Sequence, residues 1–369
     1  MHLPSARQDK LVRATDIDAL SCRFWANKKG YFAQNDRFLA PLVDAYHKNL
    51  PNCEGYSAIS AERTLRAAFG TPKFPLINRG TYLRTHALDM VVELFVQEHG
   101  GTCQIVALGG GSDTRAFRVL EKHPHVKYTE VDFPESARIK RLAVLNLTEL
   151  QQALGYSGPT SATVQSNEGL LNESLHFATD RYTLVGFDLR HSAVRGTDVF
   201  LFLETHVSTL VISECVLCYL APLDVEAVVR FWKSHVQHVA LAVFDPMSLG
   251  DAFGESMTHN LINRGIDLQT FRAHPTLESR QRLLERELGF SAYLTDMAAV
   301  GGFLGDCAMT WLSDAESARV ARLEMMDEVE EITLMLRHYS LIYAEHNMAL
   351  AFAARLPWLL LPKKSAEEM

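Results

Sequence analysis

An α/β fold wound on both faces of a mostly parallel sheet is what this 369-residue sequence predicts, and three features carry the prediction. Short apolar runs recur with helical stretches between them, as buried parallel strands alternate with crossover helices. A glycine triplet follows the first of those runs. The next three runs each carry an acidic residue or lead directly into one.

Residues 1–75 precede the first strand, have mixed helical character and are expected to cover the sheet. In FPLINRGTYLRTHALDMVVELF (74–95), positions 84, 88, 91 and 95 share one helical face. Three of them are Leu88, Val91 and Phe95, so Arg84 sits on or beside an apolar stripe, either snorkelling to its edge or waiting for a carboxylate. The strands follow as CQIVAL (103–108), VKYTEV (126–131), YTLVGF (182–187), TLVISEC (209–215) and VALAVF (239–244). Helices are expected over 134–153 and 222–234, each opened by a proline at its first turn, Pro134 and Pro222. The gap between the second and third strands exceeds one crossover, and its turn-rich GYSGPTSATVQSNEG marks a surface insertion over 146–180. Residues 313–350 read as one long helix or two in succession, and the tail PWLLLPKKSAEEM is apolar and then charged, suited either to docking or to a partner.

Composition narrows the function. With 36 basic against 44 acidic residues the net charge is −8, which offers no global attraction to phosphate backbones or anionic lipid. Neither nucleic acid nor a membrane is an expected partner. The start, MHLPSARQDKLVRATDID, lacks the apolar core of a secretory signal. Six scattered cysteines make no disulfide framework, and a reduced, cytoplasmic home is expected. The CxxC of Cys215 and Cys218 lies in an apolar run with no second pair to complete a zinc site, and reads as core packing. No metal is expected.

The chemistry gathers at the strand ends. Gly109, Gly110 and Gly111 would let a ligand approach the backbone, but the third glycine of the dinucleotide fingerprint is replaced by Thr114, which argues against a nicotinamide or flavin dinucleotide. Asp113 and Arg115 just beyond read as cap or flank of the next helix. Asp132, twenty-one residues after Gly111, can accept both hydroxyls of a ribose, or cap the helix before Pro134. Asp188 stands at the third strand's tip, and Glu214 interrupts an apolar run, where it needs a donor or cation, an internal ion pair being the alternative. Acids on three strands at the carboxyl edge suit a ligand with hydroxyls, an amino group and positive charge, and S-adenosylmethionine fits.

Taken together, INRGTYLR, IVALGGGSDTRAFR, YTEVDFP, FDLR, ISECVLCYL and RLEMMDEVEEITLMLRHYSLIYA resemble the leucine carboxyl methyltransferases, in order over roughly residues 10–345. The resemblance implies one methyltransferase domain over 1–369, of the class I S-adenosylmethionine-dependent type. Its covering segment would be 1–75, its sheet core 76–312 with the 146–180 insertion, and its C-terminal helical segment and tail 313–369. It implies methylation of the C-terminal leucine α-carboxylate of the protein phosphatase 2A catalytic subunit. Carried over by motif, Arg84 handles a carboxylate, of cofactor or substrate, and Tyr219 holds the substrate carboxylate. Gly109 and Gly111 frame the loop under the cofactor, Asp132 takes the ribose, Asp188 with Leu189 the adenine side, and Glu214 is the acid after the fourth strand. Arg23, in SCRFWANKKGYF, stands where the family often has lysine. A sibling enzyme acting on a modified tRNA base or small acid, and a non-catalytic cofactor-binding scaffold, are the alternatives.

Overall fold

A computed structural model describes residues 6–53, 56–156, 175–305, 309–327, 329–349 and 351–361. Four helices lead: α1 (Ala6–Lys28), α2 (Leu39–Asn49), α3 (Ala58–Phe69) and α4 (Pro75–Glu98). The alternating core then runs β1 (Gln104–Leu108), α5 (Arg115–Lys122), β2 (Lys127–Asp132), α6 (Pro134–Asn146), α7 (Thr148–Ala153), β3 (Leu175–Ala178), β4 (Tyr182–Gly186), α8 (Ser192–Val199), β5 (Thr209–Glu214), α9 (Pro222–His235) and β6 (Val239–Pro246). After it come α10 (Ala252–Asn263), α11 (Gln269–Ala273), α12 (Leu277–Arg282), β7 (Ser291–Asp296), α13 (Met297–Gly301), α14 (Asp314–Ala321), α15 (Val329–Arg337) and β8 (Tyr339–His346).

The eight described strands form one sheet in the order β3-β4-β2-β1-β5-β6-β8-β7. The run β4-β2-β1-β5-β6 is parallel, while β3 pairs antiparallel at one edge and β8 lies antiparallel between β6 and β7. Every residue of β1 is buried. Its alternate side chains serve opposite layers: Ile105 and Ala107 join the apolar cluster under α1, α2 and α4, and Val106 and Leu108 the cluster under α9. The sheet is therefore covered on both faces, as its unbroken apolar strands require. The chain leaves β1 towards β2 on one side and returns to β5 on the other, so the crevice between the loops after β1 and β5 is the topological switch point where such sheets bind ligands.

All five expected strands form, within two residues at their ends. The 313–350 segment corrects the expectation of helix alone. Two short helices end at Arg337, and YSLIYAEH becomes β8, in eight-residue register with β6. Its aromatic and branched residues suit a buried strand, and pairing with the otherwise open edge of β6 overrides the helical pattern before it. The expected 134–153 helix breaks at Leu147, whose backbone is extended. The insertion contributes α7 and β3, while its 157–174 stretch lies outside the described residues. The tail docks as far as it is described: Trp358 packs on Trp311, Tyr293 and Tyr343. No described helix is long and apolar enough to cross a membrane.

Candidate functional site

The glycine triplet owes its glycines to protein neighbours. Gly109 takes a positive φ of 63°, and a Cβ there would lie 2.3 Å from Val216 in the loop after β5. At Gly110 a Cβ would strike buried Glu130 of β2 at 2.9 Å, and at Gly111 it would meet the Asp16 carboxylate of α1 at 2.5 Å. The loop is thus squeezed between the two halves of the sheet and the covering helix. Two acids then hold its peptide groups. The Gly111 N–H donates to Asp132 at 2.8 Å and the Ser112 N–H to Asp16 at 2.8 Å. Asp132 also accepts from the Phe133 N–H at 2.6 Å. The first residue before α6 is Phe133, so Asp132 serves the loop more than it caps that helix. Burial, and after it the nearby Asp16 charge, push the Asp132 carboxyl up to about 6.

A cluster of opposite charges lies beside the loop. Glu214, at the end of β5, accepts from Nε of Arg84 and, at 3.1 Å, from Arg115. Burial alone would raise its pKa, but the two guanidinium charges outweigh burial and hold it below the usual carboxylate range. Arg115 also binds Asp89 at 2.6 Å and Asp113, and Asp113 pairs with Arg23 of α1 at 2.9 Å. The ion pair weighed for Glu214 is therefore real, and it faces a cavity. Asp113 does accept the Arg115 N–H at the start of α5. Its larger service is to hold Arg23 and Arg115 together, against the burial that would otherwise raise its own pKa. Arg84 lies over the Phe244 ring, 5.1 Å from its centroid.

These groups wall a cavity of about 400 Å³ over the switch point, lined by Arg23, Arg84, Asp132, Glu214 and Tyr219 among others. A side chamber of about 120 Å³ shares Gly109, Asp132 and Tyr219 and is closed by Phe133, Phe187, Asp188 and Leu189. Such volumes suit small molecules and cofactors. Asp188 is tied to Arg190, which Asp9 of α1 grips in turn at 2.9 Å. Burial would raise the Asp188 pKa, and the hydrogen bonds from Arg190 bring it below its ordinary value. The Tyr219 hydroxyl lies 3.5 Å from that of Thr15, and burial keeps its proton on. Gly111 sits behind Asp16 rather than on the wall, so it shapes the loop; the other eight of the expected site residues reach one chamber or the other. Cys218 is buried as expected, Cys215 is half-buried on the wall at a positive φ of 56°, and the described residues hold no metal-binding cluster.

Sequence reasoning missed Asp16, Thr15 and Asp9, having taken only Arg23 from the 1–75 covering. Their signal was present: positions 9, 12, 16, 19 and 23 fall on one face of a helix, and that face of α1 roofs both chambers. It also missed Arg190 and Phe244. The donor set fits S-adenosylmethionine: a carboxylate at the chamber junction without a cation partner among the described residues, an apolar slot with an acid at its lip, and charges of both signs at the far end.

Residues 12–233 match the family model described as leucine carboxyl methyltransferase. A protein named Leucine carboxyl methyltransferase 1 from Debaryomyces hansenii is 45% identical over 367 residues, covering 97% of this chain and 99% of that one. Its Candida albicans namesake is 44% identical over 348 residues, 93% of this chain and 94% of that one. The Yarrowia lipolytica protein of the same name is 34% identical over 346 residues, 92% and 98% of the two chains.

Proposed function

The chain belongs to the leucine carboxyl methyltransferase family and is an S-adenosylmethionine-dependent methyltransferase, and from that premise we propose that it esterifies the C-terminal leucine α-carboxylate of the protein phosphatase 2A catalytic subunit. The observation that carries the reading is Arg84. Its Nε is committed to Glu214, and its terminal nitrogens have no acceptor among the described residues while it lines the cavity. A planar cationic fork held in this way suits a carboxylate.

The residues divide the work between two ends. Asp132 is assigned the ribose hydroxyls, with two N–H groups holding it in place and acceptor capacity to spare. Asp188 and Leu189 are assigned the adenine side, in the apolar chamber closed by Phe133 and Phe187. Gly109 lines both chambers, and Arg23 with Glu214 is assigned the amino-acid end. When bound, S-adenosylmethionine supplies a sulfonium methyl, which a carboxylate oxygen takes up as the sulfur–methyl bond breaks.

An α-carboxyl ionises at roughly 3.3–3.7, so near neutrality the acceptor is already a nucleophile and the chain has no proton to remove. Arg84 and the neutral Tyr219 hydroxyl are assigned to orient it, and alignment at roughly 3–3.5 Å supplies the rate. The wall must also not compete for the methyl group. Cys215 and Cys22 both line the cavity. Burial pushes the Cys215 thiol up to about 12 and raises that of Cys22, so neither offers a thiolate.

The test is labelled methyl transfer to the phosphatase catalytic subunit with and without its last leucine. Label that is released by mild base and needs the leucine supports the reading. Equal label without the leucine ends it.

A further inference from the structure

Asp9, Asp16 and Arg23 stand seven residues apart along the cavity face of α1. Seven residues nearly complete two turns, so the three share one face, each about 10 Å along the helix from the next. Asp9 is at the adenine end, where it grips the Arg190 that fixes Asp188. Arg23 is at the amino-acid end, paired with Asp113 at 2.9 Å. Asp16 lies between them, close to Asp132, and lines the main cavity.

The arginines that line the two chambers are matched by acids of the protein: Arg13 by Glu135, Arg23 by Asp113, Arg84 by Glu214, Arg115 by Asp89 and Arg190 by Asp188. Asp16 is held instead by neutral donors, the Ser112 N–H at 2.8 Å, the Ser112 hydroxyl at 2.6 Å and the Tyr46 hydroxyl at 2.8 Å. These fix the carboxylate without cancelling its charge, and among the described residues no cation pairs with it. The sulfur of the cofactor joins the ribose to the amino-acid chain, so it must fall between the groups assigned to those two ends, Asp132 and Arg23. Asp132 is taken up by ribose hydroxyls, which leaves Asp16 as the free charge along that interval.

We propose that Asp16 is the residue by which the chain tells S-adenosylmethionine from its spent form, S-adenosylhomocysteine, its carboxylate attracting the sulfonium and losing that attraction once the methyl group has gone. Methyl transfer leaves a thioether, so the product carries one positive charge fewer while its ribose, adenine and amino-acid contacts are unchanged. In a partly buried site that single charge separates the two affinities, favouring entry of the loaded cofactor and release of the product. The inference rests on the ribose and amino-acid assignments made above and is independent of which acceptor is methylated.

Calorimetry at pH 8, above the range in which Asp132 titrates, measures the Kd of both ligands for the full chain and three variants. Asp16→Asn should raise the Kd of S-adenosylmethionine about fivefold and that of S-adenosylhomocysteine by less than about twofold. Tyr46→Phe removes a hydrogen bond from Asp16 but leaves its charge, and should keep the ratio of the two constants within about twofold of wild type. Asp132→Asn should weaken both ligands at least about fivefold, because both carry the ribose. Equal weakening of both ligands in Asp16→Asn, or a ratio lost in Tyr46→Phe, overturns the proposal and leaves Asp16 as a support for the glycine loop. If Asp132→Asn weakens neither ligand, the placement of the cofactor falls, and the proposal with it.

Discussion

Asp132 closes β2 and Glu214 closes β5, both at the carboxyl edge of one sheet and both against the same cavity, yet their surroundings are opposite. Glu214 lies between two guanidinium groups, which hold its pKa down despite burial. Asp132 has two backbone N–H donors, another carboxylate nearby in Asp16, and a pKa pushed up to about 6. A buried acid that is paired belongs to the architecture, because removing it strands its partners. A buried acid that is not paired costs the fold free energy and keeps its acceptor capacity for something else. The same residue class at equivalent ends of two strands is thus held between cations in one place and, among the described residues, left without one in the other.

The sharpest way to break this contrast is at Arg84, the group that links the paired acid to the cavity. Arg84→Ala should lower kcat/KM by at least about a hundredfold, since it removes the carboxylate anchor and also leaves Glu214 short of a cation. Arg84→Lys should recover little, because lysine lacks the planar fork. Near wild-type turnover in the alanine variant would reduce Arg84 to a structural edge residue. Next, Glu214→Gln should destabilise the fold by about 3–5 kcal/mol, the cost of stranding buried charge. Denaturant unfolding measures it, and a loss below 1 kcal/mol would mean that Arg84 and Arg115 find other partners.

Asp132→Asn should act on the other side of the contrast. It removes a charged acceptor, worth about 1.5–3 kcal/mol per strong bond, so the Kd of S-adenosylmethionine should rise about tenfold or more while the unfolding midpoint barely moves. The smallest effect is with pH. The ionised Asp132 is the acceptor, so cofactor affinity should hold above pH 7 and weaken as pH falls through about 6. Asp16→Asn takes away the neighbouring negative charge and should move that fall to lower pH. An affinity flat from pH 5 to 8 would remove Asp132 from the binding role.

The contrast was only half legible in the sequence. Both acids stood out, one by its spacing from the glycines and one by interrupting an apolar run. What each acid faces depends on residues far away in the chain. The cations for Glu214 come from α4 and α5, 130 and 99 residues distant, and the second carboxylate near Asp132 comes from α1. The glycine triplet was read as room for a ligand, whereas Val216, Glu130 and Asp16 are what occupy that space. The five parallel strands were readable because strands buried on both faces must be apolar throughout. β8 was not, since its pattern follows directly on a helical one and only the open edge of β6 makes it a strand.

The central claim, that the two acids do different jobs, is tested most directly by measuring cofactor affinity and unfolding free energy together for Asp132→Asn and Glu214→Gln. The expected result is a cofactor Kd at least tenfold weaker at near wild-type stability for Asp132→Asn, against a stability loss of about 3–5 kcal/mol for Glu214→Gln. If Asp132→Asn instead unfolds as readily as Glu214→Gln while binding S-adenosylmethionine normally, both acids are structural and the contrast is wrong.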